Sequence, residues 1–240
     1  MSDKYFKFKD IDFLTTNSFT PNLTSDLIFS SSRNFISEGI DVLDLGCGSG
    51  AVGLALLNQL KNFNLTLSDL SNDALKDASY NAKKINANVT VIQSDIFENI
   101  NCKYDLIIND ISGISESVAK ISEWFLNAPC NSGIDGLDLF EKVFEGSLNA
   151  LKDNGVMIFP ILSLSNTERA INIVNKFYTS YTSLVKKEWF LPDSILENNY
   201  DLLQNLKDDG HISYQSKFGK IVVYTEVLFI KKNDSVLTGD

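Results

Sequence analysis

The chain has 240 residues, of which 44% are hydrophobic and 11% aromatic, and it carries a formal net charge of -10 with a pI of about 4.6. This content fills a sizeable core and excludes general disorder, and no uninterrupted apolar run approaches the roughly 20 residues of a membrane span. The acidic balance repels phosphate backbones and disfavours nucleic acid as a partner. The start, MSDKYFKFKD, lacks the apolar stretch of a secretory signal, and Cys47, Cys102 and Cys130 are odd in number with no C-x-x-C pair. We therefore expect a cytoplasmic protein with no membrane partner, no disulfide framework and no metal site.

Short apolar runs alternate with longer amphipathic ones, the pattern of strands and crossover helices in a mainly parallel sheet. IDVLDL (40–45) predicts a first strand, followed by a glycine turn and a helix through AVGLALLNQL. LTLSDL (65–70) is a second strand, DALKDASYNAKKIN a helix capped by Ser71, Asn72 or Asp73, and VTVIQSD (89–95) a third strand ending at Asp95. YDLIIND (104–110) reads as a fourth, buried strand. LDLFEKVFEGSLNALK has apolar residues at helical spacing with Gly155 beyond its end, and VMIFPIL makes a fifth strand. A helix near residues 166–178 precedes two more strands, SLVKKEWFL and KIVVYTEVLFIKK, separated by an excursion over 192–219 that is long enough to be either a substrate lid or a surface insertion. Residues 1–240 read as one domain with seven strands and helices on both faces.

The stretch DLGCGSGAVG (44–53) matches the dinucleotide fingerprint G-x-G-x-x-G/A in two registers, so the glycines alone do not name the ligand. They let a backbone approach the ligand closely and aim free N–H groups at negative charge. Asp44 is the main obstacle to a nicotinamide dinucleotide, because a carboxylate beside a pyrophosphate is repulsive. Beside an ammonium and a sulfonium it is useful. Asp69, with Leu70 next to it, ends the second strand where a carboxylate accepts bonds from ribose hydroxyls. Asp95 with Ile96 suits an adenine's amino group and face.

These stretches resemble class I S-adenosylmethionine-dependent methyltransferases: VLDLGCGSGAVGLAL, LTLSDLS, VIQSDIF and YDLIIND look like their first four motifs. The resemblance implies a Rossmann-like α/β fold, with a seven-stranded, mostly parallel sheet and a final antiparallel strand, and S-adenosyl-L-methionine as cofactor. It implies that Asp44, Gly46, Gly48 and Gly50, with Cys47 between two of them, surround the methionine part, Asp69 and Leu70 the ribose, and Asp95 and Ile96 the adenine. A closer match is to the release-factor glutamine methyltransferase family, which has a proline-containing segment over the cofactor where this chain has FTPNLT (19–24). Thr20 and Pro21, within an N-terminal segment 1–38, take that place.

In that family the fourth strand ends in Asn-Pro-Pro followed by Tyr or Phe, whereas here it ends in Asn109, Asp110, Ile111 and Ser112. The family's asparagine and a proline carbonyl take the two N–H groups of a planar amide while the ring stacks on its plane. Without prolines and ring, glutamine is a doubtful acceptor. Asn109 remains as a substrate-orienting residue. Asp110 is either a proton acceptor beside it or, with Ser112, the cap of a helix beginning near Gly113. Trp189 and Phe190 are candidates for a substrate wall, and His211 and Tyr214 for groups reaching over it from the excursion, with a bland loop role open to each. These readings favour methylation of nitrogen or oxygen on a small polar or cationic metabolite. The alternatives are a protein side-chain amide as acceptor, a nicotinamide oxidoreductase, and a cofactor-binding protein without catalysis.

Overall fold

The structure, a computed structural model, describes residues 4–16, 18–111, 113–125 and 130–236. It opens with a hairpin, β1 (Tyr5–Phe8) and β2 (Ile11–Leu14), followed by α1 (Leu23–Ser32). The expected alternation then appears as β3 (Asp41–Leu45), α2 (Ala51–Leu60), β4 (Asn64–Asp69), α3 (Asn72–Lys84), β5 (Thr90–Gln93) and β6 (Tyr104–Asn109). A short α4 (Glu116–Ile121) and a 3-10 turn (Glu123–Phe125) lead to α5 (Phe140–Ala150), β7 (Leu151–Leu162), α6 (Thr167–Phe177) and β8 (Thr182–Phe190). The excursion holds α7 (Asp193–Leu196), α8 (Tyr200–Asp208) and β9 (Gln215–Lys217), and β10 (Lys220–Lys231) closes the sheet.

The sheet runs β5-β4-β3-β6-β7-β10-β8, with β9 on the end of β10. β3 pairs in parallel with β4 and with β6, and β10 runs antiparallel to both β7 and β8. The chain therefore moves outward from β3 first through β4 and β5 and then, on the other side, through β6 and β7. That reversal makes the carboxyl end of β3 the switch point where open α/β sheets hold ligands, and the glycine turn stands there. Neighbouring residues of one strand feed opposite faces: Val42, Leu106 and Ile108 pack with α1 to α3, while Leu43, Leu45 and Ile107 pack with α5 and α6. Both faces are covered, which is why the inner strands read as continuous apolar runs. Among the described residues no helix is long and apolar enough to cross a membrane.

Four local expectations are corrected. The first hairpin went unread because its turn uses Lys9 and Asp10 at positive φ (47° and 65°), where Asn-Gly is the usual signal. Its period-two pattern, FKF then IDF, was the available cue. The helix expected to reach Lys152 stops at Ala150, and Gly155 lies inside β7, where a Cβ would stand 2.8 Å from the Tyr104 carbonyl. It permits a register shift against β6, and it is no helix cap. β5 ends at Gln93, so Asp95 sits in the turn beyond it. The excursion is more than a surface insertion: Ile195, Leu203, Leu206, Ile212 and Tyr214 form a third apolar cluster with residues of β8 and β10.

Candidate functional site

The turn after β3 is built from backbone that side chains would spoil. Gly46 and Gly48 both have positive φ (73° and 54°). The N–H groups of Gly46 and Cys47 both donate to the Ser68 carbonyl, at 2.8 and 2.9 Å, which ties the turn to β4. A Cβ on Gly46 would stand 2.7 Å from Ile111 Cγ1, so the turn presses on the segment after β6. A Cβ on Gly48 would meet nothing nearer than Ser18 Cβ at 4.0 Å and would instead fill the cavity beside it.

Asp69 holds this turn in shape. Its Oδ2 accepts from the Gly48 N–H at 2.9 Å and its Oδ1 from the Ser71 N–H at 2.8 Å, which leaves further lone pairs on both oxygens for a ligand's hydroxyls. Asp44 lies beneath, 1% exposed, with Oδ2 accepting from the Gly53 N–H at 2.9 Å and no hydrogen-bond partner for Oδ1. Burial, and secondarily the charge of Asp69, pushes its carboxyl up to about 7, against the Gly53 N–H, which holds it down. A buried carboxylate with one orphaned oxygen suits a cationic ligand group.

Asp110 takes up the other rim. Its N–H donates to the Leu45 carbonyl at 3.1 Å, and its Oδ2 accepts from the Ser25 hydroxyl at 3.2 Å. Burial first, then the charge of Asp44, raises its carboxyl to about 7, while the Ser25 bond opposes the shift. The helix-cap reading of Asp110 is not what the structure holds: α4 starts only at Glu116, and the carboxylate is turned to α1 instead. Ser25 is itself fixed at the first turn of α1, where Asn22 Oδ1 accepts from the Thr24 and Ser25 N–H groups. Behind this helix the N-terminal segment is clamped to α3, since the Leu14 N–H donates to Asn81 Oδ1 and the Ser18 hydroxyl to Asp77 Oδ2. Asn109 is buried at 3% exposure, and its Oδ1 accepts from the Ile111 N–H at 3.2 Å. A proline at 111 would have no N–H to offer.

These groups surround a cavity of about 320 Å³. Of the residues singled out from sequence, Gly46, Cys47, Gly48, Asp69 and Leu70 line it, as do Asp95 and Ile96. Pro21, Asp110 and Trp189 complete that group. Asp44 and Asn109 stand behind the lining; Thr20 and Gly50 are outside it. Phe190 alternates to the other side of β8 and is exposed. His211 and Tyr214 are also away from the cavity: the His211 N–H closes the end of α8 on the Leu206 carbonyl, and the Tyr214 hydroxyl donates to Gln204 Oε1 at 2.9 Å. Ser112 lies outside the described residues. Sequence reading missed Ser25, Trp124 and Phe125, all of which line the cavity. The aromatic pair in the polar stretch ISEWFLN was the signal for the last two.

The pH dependence of stability follows from Asp44. Its folded value lies above its ordinary 3.8, so the folded state binds the proton more tightly; the contribution is fully present below about 4 and lost as pH rises through about 7. Moving the carboxyl from 3.8 to about 7 corresponds to about 4 kcal/mol at full ionisation. Thermal unfolding of the ligand-free protein should therefore show Asp44→Asn gaining on the wild type as pH rises from about 4 to about 7, the range set by these two values. Parallel curves would mean that the Asp44 charge is not a cost to the fold.

The family model described as methyltransferase small domain matches residues 24–110. The ribosomal protein uL3 glutamine methyltransferase of Francisella tularensis is 33% identical over 140 residues, covering 55% of this chain and 45% of the relative. The release factor glutamine methyltransferase of Streptococcus pneumoniae is 31% identical over 143 residues, covering 58% of this chain and 51% of the relative. The chain thus spans about half the length of these curated relatives. Among solved structures, the Thermus thermophilus 16S rRNA N2 G1207 methyltransferase, in complex with AdoMet and guanosine, superposes with a TM-score of 0.59 at 12% identity, covering 96% of this chain and 50% of that one, a likeness of fold. The expectation of a small-molecule acceptor is overturned by the two relatives, whose names give a ribosomal protein and a release factor as the proteins modified. Sheet order, glycine turn and the carboxylates beside it agree with the family match over residues 24–110, and together they converge on a methyltransferase domain that takes S-adenosylmethionine.

Proposed function

We propose that the chain methylates the side-chain nitrogen of a glutamine presented by another protein. The observation that carries this reading is the identity of 33% over 140 residues and 31% over 143 residues with two glutamine methyltransferases. S-adenosyl-L-methionine, when bound, supplies a methyl group on a positively charged sulfur. The residues present fit it: the Gly48 cradle is open, Asp69 retains acceptor capacity, and Asp44 keeps an unpartnered oxygen beneath the turn. In this reading the 1–38 segment forms the cofactor-side wall through Pro21, and the 192–219 excursion reaches the mouth through Pro192.

Asn109, behind the lining, acts through the segment after β6, whose Ile111 N–H its Oδ1 holds at 3.2 Å. Asp110, in the cavity lining, would receive the proton that the acceptor amide nitrogen sheds on methylation. Ser25, also in the cavity lining, holds that carboxylate through the bond to Oδ2.

Incubation with methyl-tritiated S-adenosylmethionine and salt-washed ribosomal and soluble protein fractions tests the reading. Label should enter protein and, after complete proteolytic digestion, run as N5-methylglutamine. Label confined to RNA, or absent from protein, would overturn it.

A further inference from the structure

The sheet order divides the cavity. Asp69 and Asp95 stand on its β4–β5 side, whereas Leu162 on β7, Trp189 on β8 and the 3-10 residues Trp124 and Phe125 line the other. Trp124 and Trp189 meet edge to face, with ring centroids 5.9 Å apart and planes at 66°. Phe125 meets Phe19 of the N-terminal segment at 5.2 Å. Trp189 is fixed by its indole N–H, which donates to Thr225 Oγ1 at 3.1 Å. All four rings stay partly exposed within the cavity wall.

We infer that Trp124 and Trp189 form the face on which the acceptor's planar amide lies, making them specificity-determining residues. The inference rests on the glutamine reading. Two observations support it. The loop after Asn109 offers only Ile111 toward the glycine turn, with no ring among its described residues. A ring held by a hydrogen bond and by a second ring is pre-organised, so little freedom is lost when a flat group stacks on it.

Both tryptophans of the chain are in this wall, so tryptophan signals report on it alone. Protein grown with 5-fluorotryptophan should give two fluorine resonances, assigned with Trp124→Phe and Trp189→Phe. Both should move when the methyl-accepting protein fraction is added in the presence of S-adenosylhomocysteine. In kinetics, Trp124→Ala and Trp189→Ala should each raise KM for that fraction about tenfold, with Phe restoring most of it. Stabilisation by S-adenosylhomocysteine should stay at the wild-type level, which shows that the variants are folded and bind cofactor. Wild-type protein labelling with unmoved resonances, or with unchanged KM in the Ala variants, overturns the stacking wall and leaves the glutamine reading standing. Absence of protein labelling by the wild type overturns the reading itself.

Discussion

Asp110→Asn should lower kcat about a hundredfold or more while leaving stabilisation by S-adenosylhomocysteine near the wild-type level. The magnitude is that of a positioned proton acceptor, roughly 10² to 10⁴ in rate. The substitution keeps shape and can keep the hydrogen bond from Ser25, so loss of packing is not what it measures. The pH profile gives an independent readout. Asp110 accepts a proton only when ionised, and its carboxyl is raised to about 7, so wild-type kcat should climb with pH and level off above neutrality. Because the charge of Asp44 contributes to that elevation, Asp44→Asn should move the rising limb to lower pH as well as altering stability. An Asp110→Asn enzyme with undiminished kcat, or a wild-type profile with no limb near 7, would remove Asp110 from the chemistry.

The parts of the fold legible in the sequence were those where one physical signal dominated. Inner strands such as β3 and β6 are buried on both faces, so their continuous apolar runs stood out. The strand-end acids and the glycine turn were legible for a related reason: tight backbone with polar groups at a switch point leaves few alternatives. The rest depended on tertiary context. Nothing in YFKFKD announces a turn, because Lys9 and Asp10 adopt left-handed backbone without glycine. Ser25 acquires its role only because the N-terminal segment, clamped to α3 through Asn81 and Asp77, brings α1 against the end of β6. Trp124 and Trp189 are 65 positions apart, and only the sheet order makes them neighbours. His211 and Tyr214 misled for the converse reason. They are polar and rare in an excursion that reads as exposed, but the backbone of the one and the hydroxyl of the other are used in holding α8 to the third apolar cluster.

Gly46→Ala and Gly48→Ala should separate shaping the site from occupying it. Both glycines have positive φ, so each alanine carries roughly 1–2 kcal/mol of backbone strain. They differ in what the new methyl meets. At Gly46 it would stand 2.7 Å from Ile111 Cγ1 and 3.1 Å from the Ile111 backbone nitrogen, so the segment after β6 must move and carry the Asn109 bond with it. At Gly48 no protein atom lies closer than 4.0 Å, and the methyl enters the space left for the cofactor. Gly46→Ala should therefore unfold more easily by about 2–4 kcal/mol, combining strain with overpacking, and lose both cofactor affinity and kcat. Gly48→Ala should lose only the strain energy, about 1–2 kcal/mol, while its affinity for S-adenosylhomocysteine falls at least as far, about tenfold or more. Thermal unfolding with and without S-adenosylhomocysteine measures both quantities in one experiment. Equal losses of stability in the two variants would contradict the contact between the turn and Ile111, and undiminished affinity in Gly48→Ala would place the cofactor elsewhere than against this turn.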